Sequence, residues 1–433
     1  MVANYGKSGD SCLLPALLTF TIGVVLALSL INSAESAENK VSDDLEIMLG
    51  KTEEITSSYR YCWFPSVHQF PKGEIMVDMM MSPDEVNPEG DFSAYCLSQD
   101  GGLTWSRRYT MGPGTGTEGA FTEDPRKDGT HWLLYSYPEP YPEGQTQQFH
   151  ETLTKFSRGG MEIYQDREVL IQLSQPAYMA SLGLFDRGVE GARVADGKVE
   201  RQIRGMPYGW IIDALNGDLL APMYYEAQRD RDFYSHAAGI NVPDGLEDHL
   251  RDVLLRSKDG GQTWKEQSTI AAIEPGEKPW PWEGNEGPNE LTVIRLADNR
   301  LYAVFRTGSD AFMGQTWSAD DGNTWTPPVS TGIKGVYPRV RRLSNGMLAL
   351  TTGRPGPVVI MFNIDGTGEE WSHATELFAG MSTHYTDLIE VEPGKLFVVY
   401  DSVPYGWHAI PFTDRKAKNT IYGTFVEVRK KKG

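Results

Sequence analysis

One short pattern occurs six times along this chain and constrains its fold more than any other feature. A turn residue, usually glycine, is followed at once by an apolar run rich in β-formers. The copies are Lys72-Gly73 before Ile75-Met76-Val77, Asp128-Gly129 before Trp132-Leu133-Leu134-Tyr135, and Asn216-Gly217 before Leu219-Leu220. Asp298-Asn299, Asn345-Gly346 and Pro393-Gly394 open the other three, before Leu301, Met347 and Leu396. Each copy is a hairpin signal, because Gly and Asn tolerate the positive φ of a tight turn and the following residues favour extended chain.

A second element follows most copies. Residues 98–105, 257–264 and 318–325 fit the eight-residue pattern S-x-D-x-G-x-T-W, known as the Asp-box. Degenerate versions occur at Asn363-Ile364-Asp365-Gly366 with Trp371, and at Ser157-Arg158-Gly159-Gly160. In such a turn the Asp caps the backbone, the Gly permits its conformation and the Trp packs beneath. Asp100, Asp259 and Asp320 therefore read as turn-builders and not as catalysts. Six turn–strand units with boxes between later strands predict an all-β, six-bladed β-propeller with Asp-box repeats. A strand near 45–49 pairing with the last one near 421–428 would close the ring and remove its open edge. Residues 190–204 and 226–252 read as insertions.

The chain has 433 residues and a formal net charge of −19. That charge argues against a nucleic-acid partner and against docking on anionic lipid, so any positive pocket must be built locally. No charged residue lies between Leu13 and Ile31, Lys7 precedes this run, and Ser33, Ala34, Ser36 and Ala37 follow it. Residues 1–37 thus predict a signal peptide, or an N-terminal anchor if uncleaved, ahead of a single exported domain at 38–433. Export leaves Cys62 and Cys96 to form one disulfide or to stay as two buried thiols.

The combination of six blades and Asp-boxes resembles the sialidase (neuraminidase) superfamily over nearly the whole mature chain. Two of that family's site segments recur at matching offsets. Glu290-Leu291-Thr292-Val293 leads through the turn at Asp298-Asn299 to Phe305-Arg306, ahead of the box at Ser318. In the last unit, Tyr385-Thr386-Asp387-Leu388 leads through Pro393-Gly394 to Val399-Tyr400-Asp401, with Asp401 where the family has glutamate. The resemblance implies a retaining exo-glycoside hydrolase, with Tyr385 as nucleophile, Glu290 as its base and Arg306 as a substrate clamp. The residue types suit this chemistry. A sialic acid carries a carboxylate on its anomeric carbon, so a neutral phenol meets less repulsion than a carboxylate nucleophile. A free tyrosine titrates near 10 and needs an adjacent carboxylate to take its proton. An arginine holds a carboxylate through a planar fork of donors.

Other family positions match less closely. The first family arginine corresponds to Trp63, and the nearest arginine, Arg60, is an odd number of residues away, on the opposite face of a strand unless a bulge intervenes. Arg354 is the candidate for the third arginine, with Arg339, Arg341 and Arg342 as alternatives. The acid/base is expected at Asp84, with Glu85 and Asp91 as alternatives. Trp63 and the loop 280–286 could wall the pocket with aromatic surface. His236 and His249 fall in an insertion, and neither a metal-ligand set nor a cofactor motif is visible. The expected substrate is a glycan ending in sialic acid or a related acidic sugar. The alternatives are a non-sialic sugar in a related pocket, or a propeller that binds glycans or proteins without turnover. A Tyr385–Glu290 hydrogen bond would favour an enzyme, and convergence of Arg60 and Arg354 on Arg306 would favour sialic acid.

Overall fold

The computed structural model describes residues 44–83, 92–113, 119–135, 147–157, 162–181, 194–195, 198–199, 201–203, 205–230 and 250–431. The expected export segment, the acidic loop 84–91, His236 and His249 lie outside the described residues. What is described is all-β apart from one helical turn at 228–230.

Four sheets are separate, antiparallel and four-stranded. The first contains Trp63–Gln69, Ile75–Met80, Phe92–Ser98 and Tyr109–Pro113. A second contains Asn289–Arg295, Leu301–Arg306, Phe312–Ser318 and Val329–Lys334. A third contains Val336–Arg342, Leu348–Gly353, Val358–Asn363 and Ser372–Phe378. The fourth joins the two ends of the domain: Thr386–Glu392, Lys395–Ser402 and Asn419–Lys430 are completed by Leu45–Ser58. Leu45 faces Lys430 and Ile47 faces Val428 in that closing pair.

The remaining strands depart from six separate blades. Ala120–Thr122, Thr130–Tyr135, Gln148–Ser157 and Glu162–Gln172 form one antiparallel run, and Gly209–Asp213, Leu219–Glu226, Leu250–Ser257 and Thr263–Ala271 form another. Parallel pairing of Gly209–Asp213 with Ala120–Thr122, and of Thr263–Ala271 with Glu162–Gln172, closes these eight strands into one ring. Strand edges that would otherwise carry unpaired N–H and C=O groups are satisfied across the junction. Within the region read as the first insertion, Val194–Ala195 pairs with Lys198–Val199, and Arg201–Ile203 pairs with Met179–Ser181 ahead of it.

The repeat explains these elements locally. All six turn residues (Gly73, Gly129, Gly217, Asn299, Gly346 and Gly394) have φ between +71° and +87°. The three full Asp-boxes share one hydrogen-bond set. Asp100 Oδ1 accepts from Ser98 Oγ and Thr104 N–H, Asp259 Oδ1 from Ser257 Oγ and Thr263 N–H, and Asp320 Oδ1 from Ser318 Oγ and Thr324 N–H, all within 2.8–2.9 Å. The first strand of a sheet is buried on both faces, as in Asn289–Arg295, while the last, such as Val329–Lys334, is largely exposed. Cys62 and Cys96 are buried free thiols, and burial pushes them up to about 12 and about 11.

One irregularity recurs where it matters for function. The pairing register slips between Trp63 and Ser66, between Asn289 and Thr292, and between Val336 and Arg339. Inside each slip sits one residue with left-handed backbone: Phe64 at φ +52°, Glu290 at +46° and Tyr337 at +47°. A bulge of this kind re-aims a side chain. Holding a non-glycine residue there costs on the order of 1–3 kcal/mol, which the surrounding packing must offset.

Candidate active site

The three bulge residues converge on Tyr385. Its ring lies 4.7 Å from that of Phe64 and 4.4 Å from that of Tyr337, centroid to centroid. Its hydroxyl donates a short hydrogen bond to Glu290 Oε1. The other oxygen of Glu290 accepts the Tyr337 N–H at 3.1 Å. Tyr385 is partly exposed while Glu290 is buried, so the tyrosine is the more accessible residue of the pair.

The backbone before Tyr385 is fixed by one buried carboxylate. Asp401 accepts from Ser382 Oγ and Thr383 N–H at 2.8 Å each, from the Thr383 hydroxyl, and from Phe64 N–H at 3.1 Å. Burial raises its pKa, and these donors pull the other way. Asp401 therefore ties the segment carrying Tyr385 to the bulge that supplies Phe64. Sequence reading matched Asp401 to a family position but could not see this backbone role, which depends on pairing across two sheets.

Arg306 ends its strand beside the pair. Its Nη1 donates to Glu290 Oε1 at 2.7 Å and lies 3.5 Å from the Tyr385 hydroxyl. Its Nη2 donates to Glu286 Oε1 at 2.7 Å and to Ser309 Oγ at 3.1 Å. Burial alone would lower the arginine's pKa, but Glu290, Tyr385 and Glu286 more than offset that and hold it above its usual value. Burial raises the pKa of Glu286, and Arg306 opposes the rise. Arg354 also reaches the site: Nη1 donates to Ser309 Oγ at 3.4 Å, Nη2 to the Thr383 carbonyl at 2.7 Å, and its face lies 4.7 Å from the Trp407 ring.

Two expected site residues are not available there. Trp63 is fully buried, donates its indole N–H to the Ser82 carbonyl at 3.1 Å and packs on Tyr61 and Phe64, so it offers no stacking face. Arg60 is exposed, with its guanidinium 5.7 Å from the ring of Phe412. A bulge does follow it, but at Phe64, after the strand has begun, so it re-aims Phe64 and leaves Arg60 outside. Asp84, Glu85 and Asp91 lie outside the described residues. Of the alternative arginines, Arg339 is fully buried beneath the site, donates to the Tyr337 hydroxyl at 2.5 Å and stacks on Trp210. Arg341 donates to the Leu388 carbonyl. In the loop 280–286, Trp280 and Trp282 stack on each other at 5.1 Å.

Phe64, Tyr337, Glu286 and Ser309 were not singled out from sequence. Glu286 carried a signal, since it lies four residues before Glu290 in the loop flagged for its tryptophans. Two clefts of about 770 and 730 Å³ lie elsewhere, the first against Glu123 and Arg341 and the second against Arg256 and Asp321. Neither is lined by Tyr385 or its partners.

The family model described as BNR repeat-like domain matches residues 198–398. A Dyadobacter fermentans protein of unknown function is similar at 18% identity and TM-score 0.61, covering 88% of this chain and 99% of its own. The Hadza microbial sialidase Hz136 is similar at 15% identity and TM-score 0.55, covering 85% of this chain and 65% of its own. A Penicillium chrysogenum alpha-L-arabinanase, solved with arabinobiose, is similar at 16% identity and TM-score 0.52, covering 87% and 98%. No curated protein sequence matches the chain.

Proposed function

We propose that this chain, whose residues 198–398 match the BNR repeat-like domain, is an exo-acting, retaining glycoside hydrolase of the sialidase type. Its fold is then a six-bladed propeller in which the second and third blades have fused along their edges. The nucleophile is Tyr385 and its base is Glu290. The observation that carries this reading is the hydrogen bond from the Tyr385 hydroxyl to Glu290, with Arg306 on the same carboxylate oxygen.

The chemistry follows from those contacts. Glu290 takes the phenolic proton as the Tyr385 oxygen attacks the anomeric carbon and the glycosidic C–O bond breaks. Glu290 is ill-placed to attack directly, because both its oxygens are held and its side chain is 9% exposed. Arg306 keeps the developing phenolate and the carboxylate in one electrostatic site, and such preorganised charge is commonly a large catalytic contribution. The leaving oxygen needs a proton from an acid, expected at Asp84 with Glu85 and Asp91 as alternatives. Water then attacks the glycosyl–tyrosine linkage and restores the phenol.

The expectation of sialic acid rested on three arginines, of which Arg306 and Arg354 share the Ser309 hydroxyl and Arg60 lies apart. The test is turnover of fluorogenic glycosides, a sialoside among them, by wild type and Tyr385→Phe. The variant is expected to lose roughly 100-fold or more, in line with the usual worth of a positioned reacting group. Equal rates would remove Tyr385 from the mechanism.

A further inference from the structure

The charge pairing at the site bears on which sugar it takes. Both terminal nitrogens of Arg306 are already ion-paired, Nη1 to Glu290 and Nη2 to Glu286. Its Nε is buried, without a hydrogen-bond partner among the described residues. Arg354 donates from Nη1 to the Ser309 hydroxyl and from Nη2 to the Thr383 carbonyl, both neutral oxygens. Among the described residues no carboxylate pairs with Arg354. The one oxygen that both guanidinium groups share is the Ser309 hydroxyl, an uncharged group.

We propose that the sugar bound here is uncharged where it meets Arg306 and Arg354, so that the substrate is a neutral glycoside and not a sialic or uronic acid. This rests on the hydrolase reading above and specifies its substrate class. A sugar hydroxyl is the same chemical group as the Ser309 side chain and can take the same donors. Glu286 and Glu290 both pair with Arg306, so the carboxylates around that guanidinium already outnumber its single charge. An acidic sugar would have to expel Glu286 from Arg306 or lie against two carboxylates. At longer range the net charge of −19 repels anions. A neutral sugar removes the like-charge reason for a phenol nucleophile but leaves the exposure difference between Tyr385 and Glu290 unchanged.

The test measures kcat/KM of the protein, with wild type, Glu286→Gln and Tyr385→Phe. Substrates are the 4-methylumbelliferyl α-sialoside, the β-glucuronide and a panel of uncharged pyranosides and furanosides. Wild type is expected to hydrolyse at least one uncharged glycoside roughly 100-fold better than either acidic one, since facing like charges strongly disfavours binding. Glu286→Gln frees Arg306 Nη2 and is expected to narrow that ratio about tenfold, the scale of one charge-assisted hydrogen bond. Preference of wild type for an acidic glycoside, or an unchanged ratio in Glu286→Gln, overturns the inference and leaves the hydrolase reading intact. Failure to hydrolyse any substrate overturns the hydrolase reading instead. Ligand-observed NMR then decides the charge question: binding of free N-acetylneuraminic acid above every neutral sugar refutes the inference, and the reverse supports it.

Discussion

Replacing Arg306 by Met in two backgrounds measures how much of the site is held together by charge. Arg306 makes two ion pairs of 2.7 Å, with side-chain exposures of 10% for Arg306, 9% for Glu290 and 18% for Glu286. Removing one partner of such a buried pair typically costs about 3–5 kcal/mol, because the other charge stays behind. Here two carboxylates stay behind. At a separation of about 5 Å and an effective dielectric near 20 they would repel each other by about 3 kcal/mol. The wild-type background is therefore expected to lose about 4–5 kcal/mol on Arg306→Met at neutral pH. In a Glu286→Gln, Glu290→Gln background the same change removes ordinary hydrogen bonds and should cost about 1–2 kcal/mol. Equilibrium urea denaturation followed by tryptophan fluorescence reads both. Burial already raises the Glu286 pKa in the folded protein and Arg306 opposes that rise, so in the single variant Glu286 is most destabilising at neutral pH and the deficit should shrink as pH falls. Equal losses in the two backgrounds, or a deficit that grows on acidification, would refute this electrostatic account.

Asp401→Ala should destabilise by about 2–4 kcal/mol and lower kcat more than it raises KM, since it frees both Phe64 and the segment before Tyr385; denaturation and steady-state kinetics check it, and an unchanged kcat would count against the positioning role. Burial lowers the His131 pKa to about 3. The unfolded chain thus binds one more proton between about pH 6.5 and 3, stability falls across that window on acidification, and His131→Gln should flatten the slope by up to about 1.4 kcal/mol per pH unit. Burial raises Glu283 to about 8, so its contribution is present below its unfolded value and is lost as pH rises toward 8, and Glu283→Gln should be relatively most stabilising near that upper end. Ellman's reagent should find Cys62 and Cys96 unreactive in the native protein and reactive after denaturation; rapid native labelling of either would contradict their burial.

The parts of this protein that were legible from sequence are those set by local chemistry. A glycine or asparagine at a tight turn and a Ser, Asp, Gly and Trp at fixed spacing specify backbone geometry within eight residues, so the hairpins and Asp-boxes could be located directly. Tyr385, Glu290 and Arg306 were found because their offsets from those turns match a known pattern. The bulges were not legible, since neither Phe64, Glu290 nor Tyr337 is a residue type that favours left-handed backbone. Their conformation is imposed from outside, by Asp401 on Phe64 and by packing around Tyr385. Once the bulges are known, the failure of Arg60 to enter the site and the aromatic clamp on Tyr385 follow. The fused sheet was hidden for a similar reason, because edge-to-edge pairing leaves no periodic mark in either strand.

The central claim is that Tyr385 forms the bond to the sugar. The most direct measurement is to trap the intermediate with a 2-deoxy-2-fluoroglycosyl fluoride of the accepted sugar, then to map it by intact mass and peptide sequencing. The account predicts one glycosyl adduct, on Tyr385, absent from Tyr385→Phe. An adduct on Glu290, or rapid turnover with inversion and no adduct, would contradict it.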